Sequence, residues 1–270
     1  MDYICFYHSP CNDGEISKLL WKKKYPKTVF FPWIHSNKDE NIKFLKKFKR
    51  EHIVFLDYCP KKEYLTNENK YLIIDHHHDA INSLDETDNI KMYCDTNRAT
   101  CMLVWDYLYP NTKYPISLYH IGSADLFDFS NVNTEPFNIA YKLFNLTYDS
   151  LINLNINNNT YKNIILYGNK QILKYQYESI QYFYTSKIIK ETINDKKYTI
   201  LCIICDKYNL YKYLINNAKL NFPNCNILRI QKNTIGKISY SLRSLDGTRV
   251  DKIARFYGGN GHKLAAGYTI

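Results

Sequence analysis

The chain has 270 residues, enough for two domains of ordinary size, and its 45% apolar content supplies a core without disulfides. Eight Cys occur with no regular spacing, which argues against a disulfide framework or a zinc ribbon and favours a reducing compartment. The formal net charge of +10 favours anionic partners such as nucleotides and oligonucleotides, and no apolar run approaches the length of a membrane span.

The first residues, Met1-Asp2-Tyr3-Ile4, have neither the basic segment nor the apolar stretch of a signal peptide, so a soluble, cytoplasmic protein is expected. Residues 1–8 read as a strand and 14–24 as a helix with Ile16, Leu19 and Leu20 on one face. Val29-Phe30-Phe31 reads as a short strand broken by Pro32. A helix is expected over about 38–50, with Phe44, Leu45 and Phe48 turned inward and the basic run 43–50 mostly solvated. Strands follow at 53–57 and 71–75, separated by a turn or short helix over 61–67. The alternation predicts a parallel sheet with helices on its faces. Apolar helices are expected at 97–109, stopped by Pro110, and at about 115–123, leading to Asp125. The Asn-rich segment 151–160 reads as a loop or a poorly packed helix start, and 161–184 as a helix. A second block has strands at 197–205, 226–231 and 236–243 and helices at 208–218 and 249–256. The expected division is 1–150, a helical linker over 151–190, and a smaller domain over 191–270.

Three of the apolar strands end in groups that bind metals. Ile4-Cys5-Phe6-Tyr7 runs into His8, Ile53-Val54-Phe55-Leu56 into Asp57, and Tyr71-Leu72-Ile73-Ile74 into Asp75-His76-His77. A single His after a strand is ordinarily a solvated loop residue, and a single Asp a turn residue or helix cap. Asp75 could cap a following helix, with His78 and Asp79 merely filling the turn. Three such strand ends together point instead to one divalent-metal site, because ligands bind at the carboxyl edge of open α/β sheets. At the other end of the chain, Gly258, Gly259, Gly261 and Gly267 surround His262. A flexible turn is the plain reading. A phosphate grip is the alternative, with exposed amides and the donors His262 and Arg243.

Together these residues resemble the DHH phosphoesterase family, in its branch with the DHH-associated C-terminal domain. The name-giving triplet resembles Asp75-His76-His77, and the first motif resembles Tyr7-His8-Ser9-Pro10-Cys11-Asn12-Asp13-Gly14. Phe55-Leu56-Asp57 and Ser123-Ala124-Asp125 match the second and fourth motifs. Ser241-Leu242-Arg243-Ser244 and Gly258 to Gly267 match the C-terminal signature. The resemblance implies an α/β fold: a parallel-sheet DHH domain, a smaller α/β domain, and the active site in the cleft between them. It implies one or two Mn²⁺ ions, with Mg²⁺ as the substitute, held by His8, Asp13, Asp57, Asp75, His76 and Asp125. Asp75, His76 and His77 would be catalytic, with Asp57 bridging. Arg243, Gly258, Gly259, Gly261 and His262 would bind substrate. Many members carry two Asp in the first motif where this chain has Cys11-Asn12-Asp13, so Cys11 is a ligand candidate of a softer kind.

The function expected is metal-dependent hydrolysis of short oligonucleotides or small nucleotide phosphoesters. Its rivals are a nucleotide-binding regulatory protein with a degraded metal site, and a cyclic-dinucleotide or polyphosphate hydrolase. A Ser or Cys hydrolase finds little support, since Cys59 and Cys94 have no evident base. The expected partner is an oligonucleotide or nucleotide and not a membrane, and the reading admits a homodimer.

Overall fold

The computed structural model describes residues 3–34, 38–77, 84–234 and 236–270. His78 and Asp79 lie outside the described residues. The chain divides into two compact units, residues 1–169 and 170–270.

In the first unit, β1 (Ile4–His8), β2 (Val29–Trp33), β3 (His52–Leu56), β4 (Lys70–Asp75) and β5 (Ile90–Cys94) pair in parallel in the order β2-β1-β3-β4-β5. β1 and β3 are buried along almost their whole length because both faces of the sheet are covered, which is why they read as unbroken apolar runs. On one face Cys5, Tyr7, Val54, Leu56 and Ile74 pack against Ile16, Leu20 and Trp21 of α1 (Asn12–Lys24). The same cluster takes in Met102 and Leu103 of α3 (Thr100–Leu108) and Leu118 and Ile121 of α4 (Ile116–Asp125). On the other face Phe6, Ile53, Phe55, Tyr71 and Ile73 meet Leu45 of α2 (Lys38–Leu45), with Phe44 and Phe48 packed beside them.

The strand order places the functional edge. The chain moves outward from β1 to β2, then returns to lay β3, β4 and β5 on the opposite side. The reversal falls between β1 and β3, and such a switch point opens a crevice at the carboxyl ends of the strands. His8 ends β1, Asp57 follows β3, and Asp75 ends β4.

Several elements differ from expectation. β2 continues through Pro32, because β2 is an edge strand and the missing amide faces no neighbour. β5 was not anticipated: it is also an edge strand, half-exposed, with a weak apolar signal. Asp125 is the last residue of α4 rather than part of a following loop. The Asn-rich segment is anchored by buried Leu151 and Leu154. Asn158 then accepts a hydrogen bond from Thr160 N at 2.7 Å and opens the long helix α7 (Asn159–Gln181). Between α4 and α7 lie α5 (Thr134–Ala140) and α6 (Tyr148–Ile152).

The second unit has a mixed sheet of β6 (Lys187–Ile193), β7 (Lys196–Ile204), β8 (Ile227–Thr234), β9 (Lys237–Ser244), β10 (Asn260–His262) and β11 (Ala265–Thr269), in the order β10-β11-β9-β8-β7-β6. The unanticipated β6 is another largely exposed edge strand. α8 (Tyr211–Asn221) covers Leu201, Ile203, Leu228 and Ile230 on one face. α9 (Val250–Phe256) covers Ile200, Ile227, Leu242 and Ala266 on the other. No helix among the described residues is long and apolar enough to cross a membrane.

One buried histidine braces the helix that carries Asp125. His120 of α4 is fully buried, with Nδ1 3.1 Å from Thr134 Oγ1 and Nε2 2.8 Å from the Tyr161 hydroxyl. Burial lowers its pKa to about 4. Folded His120 therefore stays neutral while an unfolded histidine, with a pKa near 6.5, takes up a proton. Stability is fully present above about pH 6.5 and falls as pH drops toward 4. Urea unfolding from pH 7 to 4.5 should show a loss on the order of 1–3 kcal/mol that His120→Gln does not share. Identical slopes in the two proteins would dismiss this role.

Candidate metal centre

Asp57 occupies the middle of the crevice. It follows β3 with a left-handed backbone, φ 59°, and is 2% exposed. Its Oδ2 lies 3.1 Å from His8 Nδ1, and its Oδ1 accepts the Thr100 hydroxyl at 3.2 Å. His76 Nε2 approaches Asp57 Oδ1 at 3.4 Å, Asp125 Oδ2 at 3.1 Å and Asp13 Oδ2 at 3.9 Å.

Asp13 reaches the crevice from α1. The residue before α3, Ala99, has no side chain able to cap that helix, and Asp13 supplies the cap across space. Its two oxygens accept the Thr100 and Cys101 amides, each at 2.7 Å. α1 comes this close because residue 14 is glycine: a Cβ there would lie 2.2 Å from the His8 carbonyl oxygen. Asp75 is fully buried, and its Oδ1 accepts the His76 amide at 2.7 Å and stands 2.7 Å from His77 Nδ1. Thus Asp75 orients His77, whose side chain is half-exposed.

Three sets of donor atoms each lie within 4.8 Å of one another: Asp57, Asp75, His76 and His77; His8, Cys11 and Asp57; and Asp13, His76 and Asp125. Asp57 belongs to two sets, as does His76. Two buried atoms at this centre, Asp75 Oδ2 and His76 Nε2, have no partner in hydrogen-bond geometry. Unpaired buried carboxylate and imidazole atoms beside other donors are what a divalent cation requires. The residue set fits such an ion.

The titration of the centre reflects crowding. Burial pushes Asp13 up to about 8, aided by the Asp57 and Asp125 charges and opposed by hydrogen bonds from Cys101. For Asp57, burial acts upward but is outweighed by His76, His8 and His77, which hold it well below the usual carboxylate range. Burial works against charge on His76, yet Asp125, Asp57 and Asp13 overcome it and raise its pKa to about 10. The Asp75 contact raises His77. Burial, with Asp57 next, pushes the Cys11 thiol well up.

No family model matches the chain. Over 293 aligned residues it is 27% identical to an uncharacterised protein of Acanthamoeba polyphaga mimivirus, covering 99% of this chain and 67% of that protein. Among solved structures, it matches the DHH domain of a protein described as belonging to a family of ribosomal proteins. That match has a TM-score of 0.57 and 11% identity, covering 98% of this chain and 82% of the other. The chain has the DHH fold. A second match, to a pGpG-specific phosphodiesterase from Vibrio cholerae, has a TM-score of 0.51 and 14% identity, covering 100% of this chain and 93% of the other.

All the DHH-type residues named from the first unit meet at one crevice: His8, Asp13, Asp57, Asp75, His76, His77 and Asp125. Sequence reasoning missed Thr100, whose hydroxyl and amide serve Asp57 and Asp13; its only signal was its position at the start of an apolar helix. In the second unit, His262 pairs with Ala265, and Ala265 with Arg243. Directly opposed residues share a face of a sheet. Arg243 and His262 therefore stand on one face, two strand spacings or roughly 10 Å apart, with a single methyl group between them. The Arg243 guanidinium also lies over the Tyr211 ring at 5.7 Å. The glycines have a reason within the chain itself. A Cβ at Gly259 would lie 2.1 Å from Gly267 O, and one at Gly261 would lie 2.4 Å from Ala266 Cα. Gly258, at φ 76°, has open space around it.

A cation can take His76 only in its neutral form, so binding must displace the proton that His76 holds at neutral pH. Calorimetric titration with Mn²⁺ near pH 7.5, in buffers of different ionisation enthalpy, should show release of about one proton, with a further fraction from Asp13. Affinity should rise by at least about tenfold per pH unit below that range. Binding without proton release would exclude His76 as a ligand.

Proposed function

We propose that this protein is a metal-dependent phosphodiesterase or phosphoesterase acting on short oligonucleotides or small nucleotide phosphoesters. The observation that carries this reading is Asp57: a buried carboxylate shared by two donor sets at the switch point of a DHH-fold sheet. The phosphodiesterase described for a similar fold supports the reaction class.

His8, Asp13, Asp57, Asp75, His76 and Asp125 would hold the cation, Mn²⁺ foremost and Mg²⁺ as the substitute. Imidazole among the donors suits Mn²⁺ better than Mg²⁺. When bound, the cation supplies Lewis-acid polarisation of a phosphoryl oxygen and a water of lowered pKa. The remaining work belongs to the chain. His77, held by Asp75 and raised in pKa, would orient the phosphoryl group or give a proton to the leaving oxygen. Arg243 and His262, with Gly258, Gly259 and Gly261 shaping the adjoining turn, would bind a phosphate of the substrate. A guanidinium fork suits that group.

The test is a panel of di- and pentaribonucleotides, cyclic dinucleotides, 3′-phosphoadenosine 5′-phosphate and polyphosphate, assayed with Mn²⁺. Linear oligonucleotides or nucleotide phosphoesters should be turned over. Asp57→Asn is the informative variant, because Asn tolerates the left-handed backbone and removes only the charge. It should lower kcat/KM by more than about 100-fold, while circular dichroism and unfolding remain near wild type. Near-normal turnover with Mn²⁺ present would refute the assignment. Saturable nucleotide binding without turnover would favour a regulatory protein.

A further inference from the structure

The two ends of the centre are chemically unequal. Asp13, His76 and Asp125 offer one imidazole between two carboxylates. His8, Cys11 and Asp57 offer an imidazole nitrogen, a sulfur and a carboxylate oxygen, all within 4.8 Å of one another. Cys11 occupies the N-cap position of α1, where an oxygen side chain would bond a helix amide more strongly than sulfur does. Its Sγ instead points at the acidic pocket and donates to Asp125 Oδ1 at 3.6 Å. The same two carboxylates, Asp57 and Asp125, flank the buried His76 Nε2 that lacks a hydrogen bond. The sulfur thus faces the place where these donors gather.

We propose that Cys11 is a ligand, and that the His8–Cys11–Asp57 end selects a borderline-soft cation such as Zn²⁺, Co²⁺ or Fe²⁺. The Asp13–His76–Asp125 end keeps the harder Mn²⁺ or Mg²⁺. This rests on the reading of the crevice as a divalent-cation site and adds to it a difference in kind between its two ends. Sulfur binds Zn²⁺ and its neighbours in preference to Mn²⁺, and imidazole is common to both groups. On binding, the S–H proton passes to solvent as the sulfur–metal bond forms. No electron moves and no co-reactant is consumed.

The test is a Co²⁺ titration of the full-length, metal-stripped protein, followed by absorption spectroscopy. Wild type should develop a near-ultraviolet thiolate-to-cobalt charge-transfer band that saturates with about one equivalent. Cys11→Ser should lose that band while keeping the weaker visible bands of Co²⁺ held by the other end. A band that persists in Cys11→Ser would assign the signal to another cysteine and overturn the proposal. Visible cobalt bands in wild type without charge transfer would also overturn it, leaving the divalent-cation reading intact. If neither Co²⁺ nor Mn²⁺ binds, the cation reading itself fails and this inference with it. Competition gives a second measure that does not depend on cobalt. Cys11→Asp should lower the ratio of Zn²⁺ to Mn²⁺ affinity by about tenfold or more, and an unchanged ratio would count against the sulfur.

Discussion

The structure depends on burying negative charge at the end of a parallel sheet. Asp13, Asp57 and Asp75 are almost wholly buried and converge with Asp125 on one crevice. Bringing carboxylates together away from water is costly unless each finds a donor or a cation. The chain meets part of that need itself. The free amides of α3 serve Asp13, the amide and ring of His77 face Asp75, and His8 and His76 flank Asp57. Asp75 Oδ2 is left over, and His76 Nε2 sits among Asp13, Asp57 and Asp125 without hydrogen-bond geometry to any of them. The compensation is incomplete in the place where a divalent ion would complete it.

This arrangement explains local features that would otherwise look like defects. Asp57 has a left-handed backbone, a conformation that costs on the order of 1–3 kcal/mol for residues other than glycine. That turn lets both carboxylate oxygens face the crevice, one toward His8 and one toward Thr100 and His76. Gly14 serves the same end, since any side chain would push α1 away from the last carbonyl of β1 and carry Asp13 with it. α4 ends on Asp125, and the helix is held in place by the wedge of His120 between Thr134 and Tyr161. Four elements distant in sequence are thus locked by short contacts around a volume only a few ångströms across.

Much of this was legible in the sequence, for a physical reason. Strands buried on both faces must be continuously apolar, so β1, β3 and β4 stand out, and a charged or imidazole residue ending each of them is conspicuous. The elements that escaped notice are those under weaker demands. β5 and β6 are edge strands with exposed faces, and Pro32 broke the apparent strand only because its place at the edge was not visible from the chain. Within the site, side chains that bear ligand chemistry could be named, but the amides of Thr100 and Cys101 could not. Backbone donors carry no signature in sequence and are found only once a helix start is aimed at a carboxylate.

The glycines near the C-terminus show the limit of reasoning from residue type. Their clustering suggested close approach to a phosphate. The hairpin of β10 and β11 requires Gly259 and Gly261 for its own packing, whether or not a ligand is near. Register alone sets His262, Ala265 and Arg243 in one row on one face of the sheet. A larger residue at 265 would stand between Arg243 and His262; alanine presents only a methyl group there. Cross-strand register, which composition does not reveal, therefore carries the argument for anion binding in the second unit, and the glycines contribute to it by allowing the hairpin to form.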